Sequence, residues 1–276
     1  MIRRLRKSSM SIVLAIVGLM WLVPTIGLLF TALRPQREST RTGWWRIFFE
    51  PAQLTLDNFV EIITSDFFGR SIVNTFAITI PATILVVILS ALAAYAFAWI
   101  AFPGRDALFI AVVALLVVPL QMALVPVARL YGTLGIFGSI LGVVLFHVAF
   151  GLPFAIFLLR NFFAGIPKEL LEAARLDGGS ELRIFFRVIL PLGVPAIASL
   201  AIFQFLWVWN DLLVALVFAR TSSAPITVAI QQQLRTFGGN LDIISAASFV
   251  SMVIPLIVFF AFQRYFAEGL LAGSVK

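Results

Sequence analysis

The sequence has 276 residues, of which 61% are hydrophobic and 12% are charged, and it contains no cysteine and one histidine. A soluble domain has about 45–50% apolar and about 25% charged residues, so this chain carries more apolar surface than a water-soluble core can hide. The composition therefore excludes a soluble protein, a disulfide scaffold and a cysteine or multi-histidine metal site. The formal net charge of +7 is better explained by the orientation of membrane spans than by binding of nucleic acid.

Six apolar runs are long enough to cross a bilayer, which takes about 20 residues of helix. The runs lack the alternation of barrel strands, and in lipid the backbone must bond internally, so each run predicts a helix. We expect an all-α, polytopic fold in one membrane domain that covers residues 1–276. The predicted spans are Met10–Leu33, Ser71–Ala101, Ala107–Ala128, Ile136–Leu159, Val188–Ala219 and Ile243–Phe262.

The first span follows a basic tail of residues 1–9 and is too long for the apolar region of a signal peptide, so it is expected to be retained as an anchor. If the tail lies in the cytoplasm, twelve of the twenty lysines and arginines lie inside. That excess agrees with the positive-inside rule and predicts that both termini are cytoplasmic. The loop of residues 34–70 is then outside, and the segment of residues 160–187 is inside.

The outer loop of residues 34–70 carries an aromatic cluster, Trp44, Trp45, Phe48 and Phe49, followed by the start of a short helix near Asp57. Aromatic residues at this position are typical of the membrane interface. Docking of a soluble partner is the alternative interpretation.

The cytoplasmic segment contains a short polar helix, predicted from Pro167 to Asp177 and stopped by Gly178-Gly179. Proline suits the first helical position, and glycine suits the left-handed stop. Helical spacing places Leu170, Ala173, Ala174 and Asp177 on one face. The two alanines would let another protein surface approach closely, whereas the alternative is an ordinary solvated loop helix.

This segment resembles the cytoplasmic signature of binding-protein-dependent ABC importer permeases. Glu172-Ala173-Ala174, Gly178, Val188 and Leu190-Pro191 have the spacing of that signature, with valine where the family usually has isoleucine. The resemblance extends to the carbohydrate-uptake, MalG-like branch and covers most of the chain from Ser71 onward. It rests further on Ala94-Tyr95-Ala96, Phe102-Pro103-Gly104-Arg105, Phe157-Leu158-Leu159-Arg160, Ile166-Pro167-Lys168-Glu169-Leu170, Ile184-Phe185-Phe186-Arg187, Trp209-Asn210-Asp211 and the closing segment from Gln263 through Gly269 to Gly273.

The resemblance implies the type I ABC importer transmembrane fold in a bacterial cytoplasmic membrane, with a coupling helix that docks on an ATPase. The docking residues it implies are Glu172, Ala173, Ala174 and Gly178, with Arg175 and Asp177 as neighbours. It also implies the partners: a second homologous permease, an ATPase dimer, an extracytoplasmic binding protein that meets the outer loops around residues 221–240, and a sugar substrate. The chain has no phosphate-binding loop, since none of its three lysines follows a glycine, so ATP and Mg would bind the partner and this chain is not expected to be an enzyme.

Polar side chains within the spans are candidates for a translocation path, because burying them in lipid is costly. Gln204, Trp207 and Asp211 recur at three- and four-residue steps on one helical face, beside Asn210, and Gln121 lies in another span. They suit a sugar path, or they cap and brace helices. We expect His147 to be an interhelical donor, with no acidic partner in a neighbouring span.

Three alternatives remain open from the residues. A glycerol-phosphate-type or other non-sugar solute fits the same resemblance. An ion-coupled secondary transporter fits less well, because only Asp211 lies near a span end and no repeat is visible. A channel is disfavoured, because no span has a ring-forming charge pattern or a filter-like loop.

Overall fold

The computed structural model describes the backbone of residues 2–237 and 240–272, and the side chains of residues 10–51, 53–234 and 240–263. The side chains of the basic tail, the Gly238-Gly239 pair of the outer segment and Gly273 of the closing segment lie outside the described residues. The helices are α1 (Ile2–Ala32), α2 (Gln36–Arg41), α3 (Asp57–Thr64), α4 (Asp66–Trp99), α5 (Arg105–Ala114), α6 (Leu120–Thr133), α7 (Ile140–Ala164), α8 (Lys168–Leu176), α9 (Glu181–Ile184), α10 (Leu190–Trp209), α11 (Leu213–Phe218), α12 (Ile226–Phe237) and α13 (Leu241–Ala272).

Within the described residues, five helical segments are long and apolar enough to cross a membrane, and a sixth crossing is possible if one bent pair counts as a span. The five are Met10–Ala32, Asp66–Trp99, Ile140–Ala164, Glu181–Trp209 and Leu241–Gln263. The predicted all-α polytopic fold is therefore confirmed, and the third span differs from its predicted form.

The third span was predicted as one helix over residues 107–128, and that prediction is wrong. Helices α5 and α6 meet at an angle of 101°, across a 3-10 turn at Leu115–Val117. Val118 is extended, as the residue before a proline prefers, and Pro119 has no N–H to continue the hydrogen-bond ladder. Pro119 therefore forms the extended cap of α6 rather than a kink within one helix.

The fifth span begins and ends earlier than predicted. Helix α9 runs through a π-helical turn at Phe185–Ile189 into α10, so the span starts at Glu181 rather than at Val188. It stops at Trp209 because the next residues, Asn210 and Asp211, form a turn. Asparagine and aspartate compete for backbone hydrogen bonds and favour such helix ends.

The chain divides into two compact units, and the single-domain organisation stays a prediction. The first comprises the residues up to Arg70 and Ala229–Val253. In it, the buried Arg34 side chain donates hydrogen bonds to the carbonyl oxygens of Glu38, Thr42 and Gly43, at 3.0–3.1 Å. The Asn58 amide donates to the carbonyl oxygens of Ala32 and Arg34, each at 2.8 Å. These bonds fix the start of the outer loop.

The aromatic cluster of this loop presents much of its surface outward. Trp44 packs against Phe30, with ring centroids 6.2 Å apart, while Trp45, Phe48 and Phe49 are exposed. Exposed tryptophan and phenylalanine beside a span suit the membrane interface.

The second unit, Ser71–Val228 with the residues from Ile254, contains the main core. Helix α7 is its centre, because it is the most buried of the five spans. Its residues Val143, Phe146, Leu159 and Phe163 are almost completely buried. The core extends to Leu171 of α8, Ile189 of the π-turn and Leu200 of α10. Apolar side chains that remain outside, as on much of α4, suit contact with hydrocarbon.

Candidate coupling helix and intramembrane polar cluster

The predicted polar helix is α8, and its ends differ from the prediction by one residue. Pro167 is the extended cap before Lys168, and Asp177 is the cap after Leu176. Gly178 has φ +76°, a left-handed conformation that side chains disfavour. At Gly179 a Cβ would lie 2.7 Å from the carbonyl oxygen of Ala174, so the pair Gly178-Gly179 forms the helix stop.

The inward face of α8 is set by Leu171, which was not predicted as a site residue. Leu171 is completely buried in the core, whereas Leu170 is 45% exposed. Burying a leucine side chain contributes about 1.5–3 kcal/mol, so this residue anchors α8 to the membrane domain. Ala174 is half-buried on the same side.

The outward face presents four of the predicted docking residues: Glu172, Ala173, Asp177 and Gly178 are all exposed. Glu172 lies 3.6 Å from the Lys168 ammonium along the helix. Leu176, which was not predicted as a docking residue, is 89% exposed at the end of the helix. Leu176 was missed although it lies directly beside the predicted docking residue Asp177.

Arg175 faces the chain's own membrane domain. Its Nε donates to Glu181 Oε1 at 2.9 Å, and its Nη2 donates to Glu181 Oε2 at 3.3 Å and to the Trp99 carbonyl oxygen at 3.1 Å. The Glu181 carboxylate raises the pKa of Arg175 above its ordinary value. The Tyr95 hydroxyl donates to Glu181 Oε2. Neither Glu181 nor Tyr95 was predicted as a site residue, although Tyr95 belongs to the family motif Ala94-Tyr95-Ala96.

Of the predicted path residues, Gln204 and Trp207 line one cleft within the membrane region. The cleft has a volume of about 280 Å³ and is bounded by Phe150, Gly151, Phe154, Leu200, Phe203, Gln204 and Trp207. Gln204 is 5% exposed, and its Nε2 has no hydrogen-bond partner among the described residues. A buried amide donor without a partner is costly, which marks this group as one that a ligand could satisfy.

Gly151 makes room for the Gln204 amide. A Cβ at Gly151 would lie 2.8 Å from Gln204 Oε1 and 2.9 Å from Nε2. Any larger residue would therefore displace the amide from the cleft. Gly151 was not predicted as a site residue, because glycine is common in spans, where it usually serves close packing of helices.

Asp211 and Asn210 lie at the end of α10, beyond the residues that line the cleft. Asp211 Oδ1 accepts from the Val214 N–H at 3.3 Å, and Oδ2 accepts from the Ala215 N–H at 3.0 Å. Asn210 donates to the Leu206 carbonyl oxygen at 2.8 Å. Both side chains make the contacts of helix caps. Such contacts agree with the bracing role that was the alternative to a place in the translocation path.

His147 has an acidic neighbour, so the expectation that it has none is wrong. Its Nε2 lies 3.6 Å from Asp211 Oδ2, and its ring packs edge-on against Trp207 at 5.0 Å between centroids. The pair was missed because the sequence does not show that α7 lies beside the end of α10 in the fold. Gln121, at the start of α6, is exposed and is not among the residues that line the cleft.

These features define a multi-pass membrane protein with a short, exposed polar helix between two spans and an aromatic cleft among the spans. The chain matches the family described as "Binding-protein-dependent transport system inner membrane component" over residues 3–271. It is 47% identical to "Osmoprotective compounds uptake permease protein GgtD" of Synechocystis sp., over 98% of this chain and 93% of the relative. It is 50% identical to "Alpha-glucoside transport system permease protein AglG" of Rhizobium meliloti, over 90% of this chain and 67% of the relative.

The fold matches that of a bacterial ABC transporter involved in the import of the acidic polysaccharide alginate. The TM-score is 0.82 at 22% identity, covering 95% of this chain and 97% of the other, which shows the shared fold. The chain belongs to the binding-protein-dependent transport system inner membrane component family. It is therefore an inner-membrane permease subunit of an ABC importer and not its catalytic part, which confirms the resemblance seen in the sequence.

Proposed function

We propose that this subunit imports a neutral sugar or glycoside by alternating access, and that the cleft beside Gln204 contacts the substrate. The observation that carries this proposal is a buried amide donor, Gln204 Nε2, that has no partner among the described residues and lies beside the rings of Phe150, Phe154, Phe203 and Trp207. Binding sites of this kind combine apolar walls with a few polar groups that fix orientation. Two relatives, which are named as an alpha-glucoside and an osmoprotective-compound permease, support such a solute.

The chemistry of the cleft favours a sugar over a glycerol-phosphate-type solute. Every residue that lines it is uncharged, whereas a phosphate ester would require a cation or several N–H groups to replace its hydration. A pyranose instead offers C–H faces to aromatic rings and hydroxyls to the Gln204 amide. The residues Asn210, Asp211 and Gln121 remain proposed members of the wider path, nearer its ends than its middle.

Coupling to ATP is proposed to occur at the outward face of α8. A groove of an ATPase would hold Glu172, Ala173, Ala174, Asp177 and Gly178, with Leu176 as the apolar contact and Arg175 as a neighbour outside the groove. The supporting observation is that this face is exposed, apart from the half-buried Ala174, while Leu171 on the opposite face is buried in the core.

The assembly proposed is this permease, a second homologous permease, an ATPase dimer that binds ATP and Mg, and an extracytoplasmic binding protein. The subunit would lie among membrane lipids with both termini in the cytoplasm. Closure of the ATPase dimer would move α8 and favour one of two arrangements of the spans. The bend between α5 and α6 and the turn after α10 are places where such helices can change direction.

Uptake by the reconstituted importer tests the substrate proposal. Vesicles that contain the complete complex should accumulate radiolabelled α-glucoside when ATP is inside, the variant Gln204→Leu should accumulate it more slowly, and Gln121→Leu should be less affected. Because leucine fills a similar volume without the amide, the assembled complex should be retained. Equal uptake of α-glucoside by the wild type and Gln204→Leu would overturn the role of the cleft.

A further inference from the structure

Helix α8 is joined to the cytoplasmic end of α4 by a set of polar contacts, here named the α8–α4 linkage and formed by Arg175, Glu181, Tyr95 and the Trp99 carbonyl group. The Arg175 guanidinium bridges the Glu181 carboxylate and the Trp99 carbonyl oxygen. Tyr95, which is 4% exposed, reaches the same carboxylate with its hydroxyl group. Arginine suits this position, because its planar fork can bond a carboxylate with two N–H groups and keep a third for the carbonyl.

The linkage fixes positions more than it adds stability. The side chains of Arg175 and Glu181 are 39% and 44% exposed, and ion pairs with this exposure contribute little to folding. The Tyr95 ring, by contrast, packs at 5.4 Å from that of Phe185 in the core. Trp99 is held in turn, since its Nε1 donates to the Phe163 carbonyl oxygen at 3.0 Å. The end of α4 is thus attached both to α8 and to the central helix α7.

At its other end, α4 holds the segment that leads into α12. The Asn74 amide donates to the carbonyl oxygens of Ser222 and Ala224 at 3.0 and 3.1 Å. The Thr75 hydroxyl oxygen accepts from the Ile226 N–H at 2.9 Å. About 20 residues separate the two sets of contacts, which corresponds to roughly 30 Å of helix, the thickness of the hydrocarbon layer. Helix α4 therefore connects α8 with the part of the chain expected to face the binding protein.

We propose that the α8–α4 linkage makes α4 move with α8, so that a displacement of the coupling helix by the ATPase is passed through α4 to the residues 222–226. Arg175 is then a positioning residue within this chain rather than a contact of the ATPase. This inference rests on the proposed function, since it needs a partner that displaces α8. Coupling of this kind requires an element that both sites bias, and α4 has contacts near both of its ends.

The test compares solute imported per ATP hydrolysed by reconstituted complexes with Arg175→Gln and Tyr95→Phe. Tyr95→Phe removes one oxygen and keeps the ring in the core, so folding should be preserved. We expect both variants to retain the ATPase subunit in wild-type amounts and to import at least about five-fold less solute per ATP, the lower range of measured coupling between sites. Arg183→Ala, which removes an exposed arginine from the same cytoplasmic segment, is the matched control and should behave as the wild type.

Three results are decisive. Lower import per ATP with the ATPase retained supports the linkage. Loss of the ATPase from Arg175→Gln with normal coupling in Tyr95→Phe would make Arg175 a docking residue and overturn the inference. Normal coupling in both variants would also overturn it. If no ATPase copurifies with the wild-type permease, the proposed function fails instead. The wild-type preparation alone shows this result, so it is distinguishable from failure of the linkage.

Discussion

The imidazole Nε2 of His147 lies 3.6 Å from the Asp211 carboxylate, which joins α7 to the turn between α10 and α11. The same carboxylate accepts two backbone N–H groups of α11, and the Asp211 carbonyl oxygen accepts from the Thr227 hydroxyl at 2.6 Å. The single residue Asp211 therefore contacts three helices, α7, α11 and α12. These contacts allow the chain to leave a span and turn back without exposing its backbone groups.

Substitution of Asp211 tests this bracing role. Asp211→Ala leaves the N–H groups of Val214 and Ala215 without their acceptor, which should lower the free energy of unfolding by about 1 kcal/mol, the cost of losing a helix cap. Asp211→Asn keeps one side-chain oxygen and should be affected less. Thermal unfolding of the purified subunit in detergent measures both, and equal losses for the two variants would contradict the capping account.

Gly151→Ala should slow solute uptake while leaving assembly intact. The added Cβ would lie 2.8 Å from Gln204 Oε1, so the amide must leave its position in the cleft. The matched control is Gly132→Ala in α6, where a Cβ meets nothing within 4 Å. The rates of solute uptake by the two variants are measured in vesicles. Similar rates would show that the position of the Gln204 amide is unimportant for transport.

Leu176→Ser should weaken retention of the ATPase. Leu176 is 89% exposed, so replacing it costs the isolated subunit little, whereas an interface that buries it loses about 1.5–3 kcal/mol of apolar burial. Leu182→Ser is the control, because Leu182 is also exposed on the cytoplasmic segment but lies outside α8. The ATPase that copurifies with each variant is quantified, and no difference between them would exclude Leu176 from the interface.

Two substitutions at Gly178 distinguish a requirement for its backbone conformation from a requirement for close contact with a partner. Its φ of +76° costs a residue with a side chain about 1–2 kcal/mol, and asparagine tolerates this conformation better than valine. A Cβ at Gly178 would meet none of the described atoms within 4 Å, so Gly178→Asn should preserve the end of α8. If a partner approaches this residue closely, both Gly178→Asn and Gly178→Val should lose ATPase stimulation, whereas full activity of Gly178→Asn would limit the role of the glycine to its backbone.

The sequence was sufficient for the spans and for α8, because both depend on local patterns. Runs of about 20 apolar residues need no tertiary information, and the Pro167 start and Gly178 stop limit α8 to within one residue. The break at Pro119 was missed because proline is common in spans, where it can also kink a helix that continues.

The contacts within the site were harder to predict, because they depend on which helices become neighbours. Leu170 and Ala174 were predicted on one face of α8, but Leu170 is exposed, whereas Ala174 packs on the core side with Leu171. The contacts between Glu181 and Tyr95, and between His147 and Asp211, join residues 86 and 64 positions apart in the sequence. The role of Gly151 could not be predicted, because it depends on Gln204 lying beside it in the fold.

The most direct test of the account places a single cysteine at Ala173, in a chain that has no other. The cysteine is labelled with a short photoactivated cross-linker in native membranes, and the product is identified by mass spectrometry. The account predicts a cross-link to an ATP-hydrolysing subunit, with a lower yield at the buried-side position Leu171→Cys. Cross-links to lipid alone, with no ATPase subunit attached at Ala173, would contradict the assignment of α8 as the coupling helix.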